Sequence, residues 1–220
     1  MDAPAEFANE EYALDRDLNL DPPLARDKYL LPTDSLGIPI AYLAGNSLGL
    51  QPKSTRAALD QELDSWATLA VRGHSHGAHP WMAFPSLLAE PSAAIVGAKP
   101  HEIVMMNSLT INLHMLLASF YQPRDQRRKI VMEDYAFSSD SYAIRSHVAF
   151  RGGDPDEDII RLKPREGEDS LRTQDVITVL HQRGEEISTI LFGAVNYYSG
   201  EYMDIPAITA AAHDVGAFAG

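Results

Sequence analysis

The chain has 220 residues, 45% of them hydrophobic and 22% charged, which is the composition of a globular protein with one large domain or two small ones. Its formal net charge of −13 argues against a nucleic-acid footprint and against docking on anionic membranes, both of which need basic patches. Cysteine is absent, so no disulfide framework, thiolate nucleophile or cysteine zinc site can form, and no apolar run is long enough to span a membrane.

The first residues, MDAPAEFANEEYALDRD, are acidic and lack both the basic and apolar regions of a secretory signal and the arginines of a mitochondrial one. A cytoplasmic location is therefore expected. Residues 1–37 read as an arm, with a short acidic helix near Ala5–Asp17 followed by the proline-punctuated DPPLARDKYLLPTD. Residues 38–220 read as the main body. IPIAYLA (38–44) has strand character and runs into the loop GNSLGLQP. A helix is expected from Lys53 to Arg72, with Leu59, Leu63, Trp66 and Ala70 as one buried stripe and Gly73 as its stop. A second helical stretch, Trp81–Val96, should be kinked or split at Pro91.

A strand–helix rhythm follows. EIVMM, KIVME, DIIRLKP and ISTILFGAVN read as strands, and AFAG begins a fifth. The segments between them read as helices, capped by Thr173 before QDVITVLHQRG and by Asp204 before IPAITAAAHDVG, with Pro206 in the first turn. Gly216 stands where a left-handed residue should end the last helix. Alternation of this kind predicts a doubly wound, mostly parallel α/β sheet.

In such a sheet, ligands sit outside the carboxyl ends of the strands, so the strand-to-helix junctions are informative. Neither a Walker loop nor a G-x-G-x-x-G loop is present. Asn107, Ser108 and Thr110 put hydroxyl, amide and free backbone N–H groups at a helix start, which suits a phosphate, or else Ser108 is a plain cap. Phe137 could cover a planar ring or pack in the core, and Ser138, Ser139 and Asp140 start the next helix. Asn196, Tyr197, Tyr198 and Ser199 lie at a third exit. His74, His76 and His79 cluster in GHSHGAHPW, but their spacing matches no two-histidine helical site, so no metal is expected.

YLAGNSLGLQPK, WATLAVRGHSHGAHPW, MNSLTINLHMLL, AFSSDSYAIRS, LKPREGEDSLRTQDV and VNYYSGEYMDIPAITAAAHDVGAF, in this order, closely resemble kynureninase of the fungal or animal kind. The resemblance implies the first part of the large domain of a fold-type I pyridoxal-phosphate enzyme, of the aspartate-aminotransferase fold. It implies hydrolysis of L-kynurenine, or 3-hydroxykynurenine, to anthranilate or 3-hydroxyanthranilate and L-alanine, on the route from tryptophan to NAD, by a homodimer. It further implies that Leu109 and Thr110 lie at the cofactor phosphate and that Phe137 stacks on the pyridine ring. Ser138, Ser139 and Asp140 complete that stretch, and Asn46, Ser47 and His74 lie on the substrate side.

Two departures stand out. Gly193 occupies a position that often carries a hydroxyl residue in relatives. The family's pyridine-binding Asp-x-x-His segment and its cofactor-bearing lysine find no counterpart in these 220 residues; Lys28, Lys53, Lys99, Lys129 and Lys163 all lie in other contexts. The expectation is an N-terminal fragment that is inactive alone and poorly soluble. A non-catalytic subunit that pairs with an intact kynureninase, and another enzyme of the same fold such as a cysteine desulfurase, are the alternatives.

Overall fold

Residues 9–19 and 25–220 are described by a computed structural model, so the start of the helix expected at Ala5 lies outside the described residues. The chain divides into two units, Met1–Glu90 and Pro91–Gly220.

In Met1–Glu90, α1 (Glu10–Leu18) starts where the Asn9 side chain accepts the Glu11 N–H at 2.9 Å, with Glu10 and Glu11 on the positive end of the helix dipole. The segment after it is held by isolated antiparallel bridges, Tyr29 with Pro52 and Thr33 with Pro39. Residues 38–44 form no strand, because beyond that single bridge no described segment lies beside them to complete a ladder. Helix α2 (Thr55–Leu69) ends earlier than expected, at Ala70, which adopts a positive φ of 46°. Its apolar stripe is a correction. Leu59, Leu63 and Trp66 are 61%, 56% and 65% exposed, since no described element packs across that face. Gly73 does not follow the helix as a stop; it is buried within a 3₁₀ turn, Ala70–His74. Helix α3 (Phe84–Val96) runs unbroken through Pro91 at the expense of one backbone hydrogen bond.

In Pro91–Gly220 the expected rhythm holds from KIVME onward. The strands are β1 (Lys129–Glu133), β2 (Ile159–Leu162), β3 (Ile187–Leu191) and β4 (Phe218–Ala219). They form one all-parallel sheet in the order β2-β1-β3-β4. EIVMM does not join it; Val104 and Met105 are exposed and pair with no described strand. The helices are α4 (Leu109–Phe120), α5 (Ser138–Phe150), α6 (Thr173–Arg183) and α7 (Ile205–Asp214). Asp204 caps α7, its Oδ1 accepting the Ala207 N–H at 3.1 Å, and Pro206 sits in the first turn. Gly216 takes up the left-handed φ of 75° that lets the chain turn into β4. Thr173 does not cap α6; it is the first helical residue and Arg172 precedes it without a side-chain cap bond.

Alternation along β1 feeds both faces of the sheet. Ile130 and Met132 pack with Leu117 and Tyr121 of the α4 region and with Ile144 and Val148 of α5. Val131 packs with Val176 and Leu180 of α6 and with Ile208, Ala211 and Ala212 of α7. This is the two-sided burial that a parallel sheet requires. Tyr121 donates its hydroxyl to the Arg128 carbonyl at 2.8 Å, and burial pushes that hydroxyl's pKa up to about 12. No described helix is long and apolar enough to cross a membrane.

Candidate functional site

The Tyr121–Arg128 hydrogen bond fixes the direction of α4. The helix ends near the start of β1, so it runs against the strand and begins at the sheet's carboxyl end. Helix α5 ends at the same level, where Arg151 donates to the Ala118 carbonyl at 2.7 Å, and it follows directly from the carboxyl end of β1. Two helix starts therefore meet the same end of the sheet, and both are uncapped by side chains. Ser108 stands at the cap position of α4 with no cap hydrogen bond, so the plain-cap reading of that serine does not hold. Phe137 stands at the cap position of α5, and neither Ser139 nor Asp140 caps it. The first-turn N–H groups of Leu109 and Thr110 at one start, and of Ser138 and Ser139 at the other, thus have no side-chain cap, an arrangement that suits an anion. In the second turn of α4, Asn112 donates to the Met106 carbonyl at 3.0 Å while its Oδ1 is buried without a hydrogen-bond partner.

Phe137 is half exposed, and Tyr197 meets it edge-on with ring centroids 5.0 Å apart. Ser139 donates to Asp140 Oδ1 at 3.2 Å. At the exit of β3, Asn196 is 6% exposed and bonds across to the end of β1, donating to Glu133 Oε2 at 2.7 Å. A cleft of about 970 Å³ opens here, lined among others by Glu133, Tyr135, Lys163, Asn196, Tyr198 and Glu201. The KPREGEDSLR loop on its rim is closed by two-pronged ion pairs, Arg165 with Asp175 and Arg172 with Glu168. Glycine at 193 is not demanded by space: a Cβ there would lie 3.4 Å from the Val195 carbonyl and 3.9 Å from Glu133 Oε1, ordinary contact distances.

Burial pushes the Glu133 carboxyl above the usual range. The Asn196 hydrogen bond opposes that rise, and the charges of Glu201 and Asp140 add to it. A carboxyl whose pKa is raised on folding binds its proton more tightly in the folded chain, so stability falls as pH climbs from the unfolded value through the folded one. Glu133→Gln keeps an acceptor for Asn196 and removes the charge. Thermal melts of this variant should show a higher midpoint than the native chain at pH 7 and the same midpoint near pH 4. A lower midpoint at pH 7 would refute this account of Glu133.

In Met1–Glu90, Asn46 and Ser47 lie in an exposed turn, closed by the Ser47 N–H on the Ala44 carbonyl at 3.0 Å and by the Tyr42 hydroxyl on the Leu48 carbonyl at 2.7 Å. His74 is exposed and meets the Trp81 ring edge-on at 5.4 Å. Glu62 anchors this corner, accepting Trp81 Nε1–H at 3.0 Å and pairing with His79 Nδ1 at 2.8 Å, and the His79 hydrogen bond holds its carboxyl below the ordinary range. Gly73 is required here, since a Cβ would sit 2.5 Å from the Trp81 ring. His76 turns to its neighbour Ser75 at 2.9 Å.

Glu133, Glu201 and Glu62 were not singled out by sequence reasoning. The one signal for Glu133 is an acidic residue closing a strand with an apolar centre, Ile130–Met132.

No protein-family model matches the chain. It is 48% identical over 195 residues to a kynureninase of Myxococcus xanthus, covering 89% of this chain and 46% of that protein. It is 54% identical over 180 residues to a kynureninase of Salinispora tropica, covering 82% and 42%. The chain spans about half the length of the curated relatives it matches. In fold it is similar to a cysteine desulfurase of Thermococcus onnurineus, with a TM-score of 0.56 and 17% identity over 82% of this chain and 43% of that one. It is also similar to a lyase mutant with glycine covalently linked to its PLP cofactor, with a TM-score of 0.55 and 12% identity over 77% and 42%. The resemblance read from the motifs is borne out in sequence, and the α/β architecture with its parallel sheet is shared with part of those two structures.

Proposed function

We propose, from the premise that these residues carry part of a kynureninase sequence, that they hold the cofactor phosphate and ring and part of the substrate pocket of an enzyme that hydrolyses L-kynurenine. Water and L-kynurenine would give anthranilate and L-alanine, and the 3-hydroxy substrate would give 3-hydroxyanthranilate. The supporting observation is the meeting of two uncapped helix starts and the half-exposed Phe137 ring at the carboxyl end of one sheet.

The residues present fit pyridoxal phosphate in two respects. Unclaimed N–H groups at Leu109 and Thr110 suit the phosphate. Phe137 offers a ring face, with Ser138, Ser139 and Asp140 completing that wall. Pyridoxal phosphate held by these residues would supply an electron sink for the substrate α-carbon. Asn46, Ser47 and His74 would orient the substrate, His74 beside its aromatic ring. We assign residues 1–37 to an arm and 38–220 to an incomplete large domain, in a cytoplasmic protein that works as a homodimer.

The cofactor part of this reading is tested by titrating the chain with pyridoxal phosphate. Removing an aromatic stacking partner costs about 0.5–1.5 kcal/mol, so Phe137→Ala should weaken binding about two- to tenfold. Unchanged affinity would remove Phe137 from the site.

A further inference from the structure

Asn196 uses every polar atom of its side chain, although more than nine-tenths of the residue is buried. Its Oδ1 accepts the N–H groups of Tyr198 and Ser199, each at 2.9 Å, which folds the chain leaving β3 into a tight turn. Its Nδ2 donates to Glu133 Oε2 at 2.7 Å and lies 3.5 Å from the Tyr135 carbonyl. The backbone of the same residue closes the turn from both sides, its N–H donating to the Glu201 carbonyl at 2.9 Å and its carbonyl accepting the Gly200 N–H at 3.0 Å. One amide thus joins the end of β1 to the exit of β3. The two loops it joins carry the Phe137 and Tyr197 rings, 5.0 Å apart and nearly perpendicular at 81°. A second ring pair, Tyr135 with Tyr198, lies across the same seam at 6.3 Å.

We propose that the Asn196–Glu133 hydrogen bond is a positioning device that sets the angle of the Phe137 ring, by holding Tyr197 edge-on against it. Asn196 touches no reacting group in this assignment; it acts through Tyr197 and the β1 exit. Amide and carboxyl must meet in one orientation only, since Oδ1 is committed to two backbone N–H groups and only Nδ2 remains to face Glu133. An aspartate at 196 would keep the turn and lose the tie, because a second carboxylate would then oppose Glu133. A glutamine at 133 would restore a donor to that aspartate. The proposal rests on the reading of Phe137 as the ring-stacking residue.

The test uses the whole chain in three forms: native, Asn196→Asp, and Asn196→Asp combined with Glu133→Gln. Hydrogen exchange is followed at the amides of residues 135–137 and 197–199, beside titration with pyridoxal phosphate. The single variant should speed exchange at 135–137 more than elsewhere in Pro91–Gly220, and weaken binding as far as Phe137→Ala does. The double variant should return both readings toward native. Native-like exchange at 135–137 in the single variant overturns the proposal. So does acceleration spread evenly over the unit, which marks a merely structural role, and so does a double variant no better than the single one. If Phe137→Ala leaves binding unchanged while Asn196→Asp loosens 135–137, the ring-stacking reading fails and the tie between the loops stands.

Discussion

Ile144→Ala should remove a large part of the stability of Pro91–Gly220. Ile144 has no exposed surface, and it fills the space between α5 and β1 together with Ile130, Met132, Leu117 and Val148. Truncating a fully buried isoleucine loses its transfer free energy and leaves a cavity, at about 2–5 kcal/mol. Domains of this size are stable by only about 5–15 kcal/mol, so the urea midpoint should fall steeply. Leu63→Ala on the exposed stripe of α2 is the control, and should change stability by no more than about 0.5 kcal/mol. Equal losses at the two sites would contradict the division between a packed two-sided sheet and an uncovered α2 face.

The second large effect concerns chemistry. These 220 residues, supplied with pyridoxal phosphate and L-kynurenine, should release no anthranilate above the rate without protein. In the proposed reading these residues supply the phosphate, ring and part of the substrate contacts, but none of the five lysines lies in a segment resembling the one that carries the cofactor in the family. Sustained anthranilate fluorescence from the purified chain would refute this.

Much of the sheet was legible because buried parallel strands write themselves as short runs rich in β-branched and apolar residues, such as IVM and ISTIL, separated by helical stretches. The same logic failed at EIVMM and IPIAYLA, which have the composition of strands but, beyond the single Thr33–Pro39 bridge, no described neighbour to pair with. Composition reports a capacity for pairing; only the partner makes a strand. The α2 stripe failed likewise, because helical periodicity shows which face could be buried and not whether anything arrives to cover it. Among the candidate site residues, the positions of Phe137 and Ser138 could be read locally, as a strand end followed by a helix start; Thr110 could be read only as part of a helix start, since no described strand precedes α4. The Asn196–Glu133 tie could not, because its two ends are 63 residues apart and only the packing of β1 beside β3 brings them together. Ser108 shows the opposite error. A serine before a helix reads as a cap, yet here its hydroxyl makes no cap bond and the helix start stays open.

The proposed function assigns these residues to an enzyme acting on kynurenine, rather than to the sulfur chemistry named for the neighbours in fold. The most direct measurement gives L-kynurenine and L-cysteine separately to the gene product that carries these residues, with pyridoxal phosphate, and quantifies anthranilate and alanine. The account predicts anthranilate and alanine in equal amounts from kynurenine, and no alanine from cysteine. Alanine from cysteine with no anthranilate from kynurenine would contradict it.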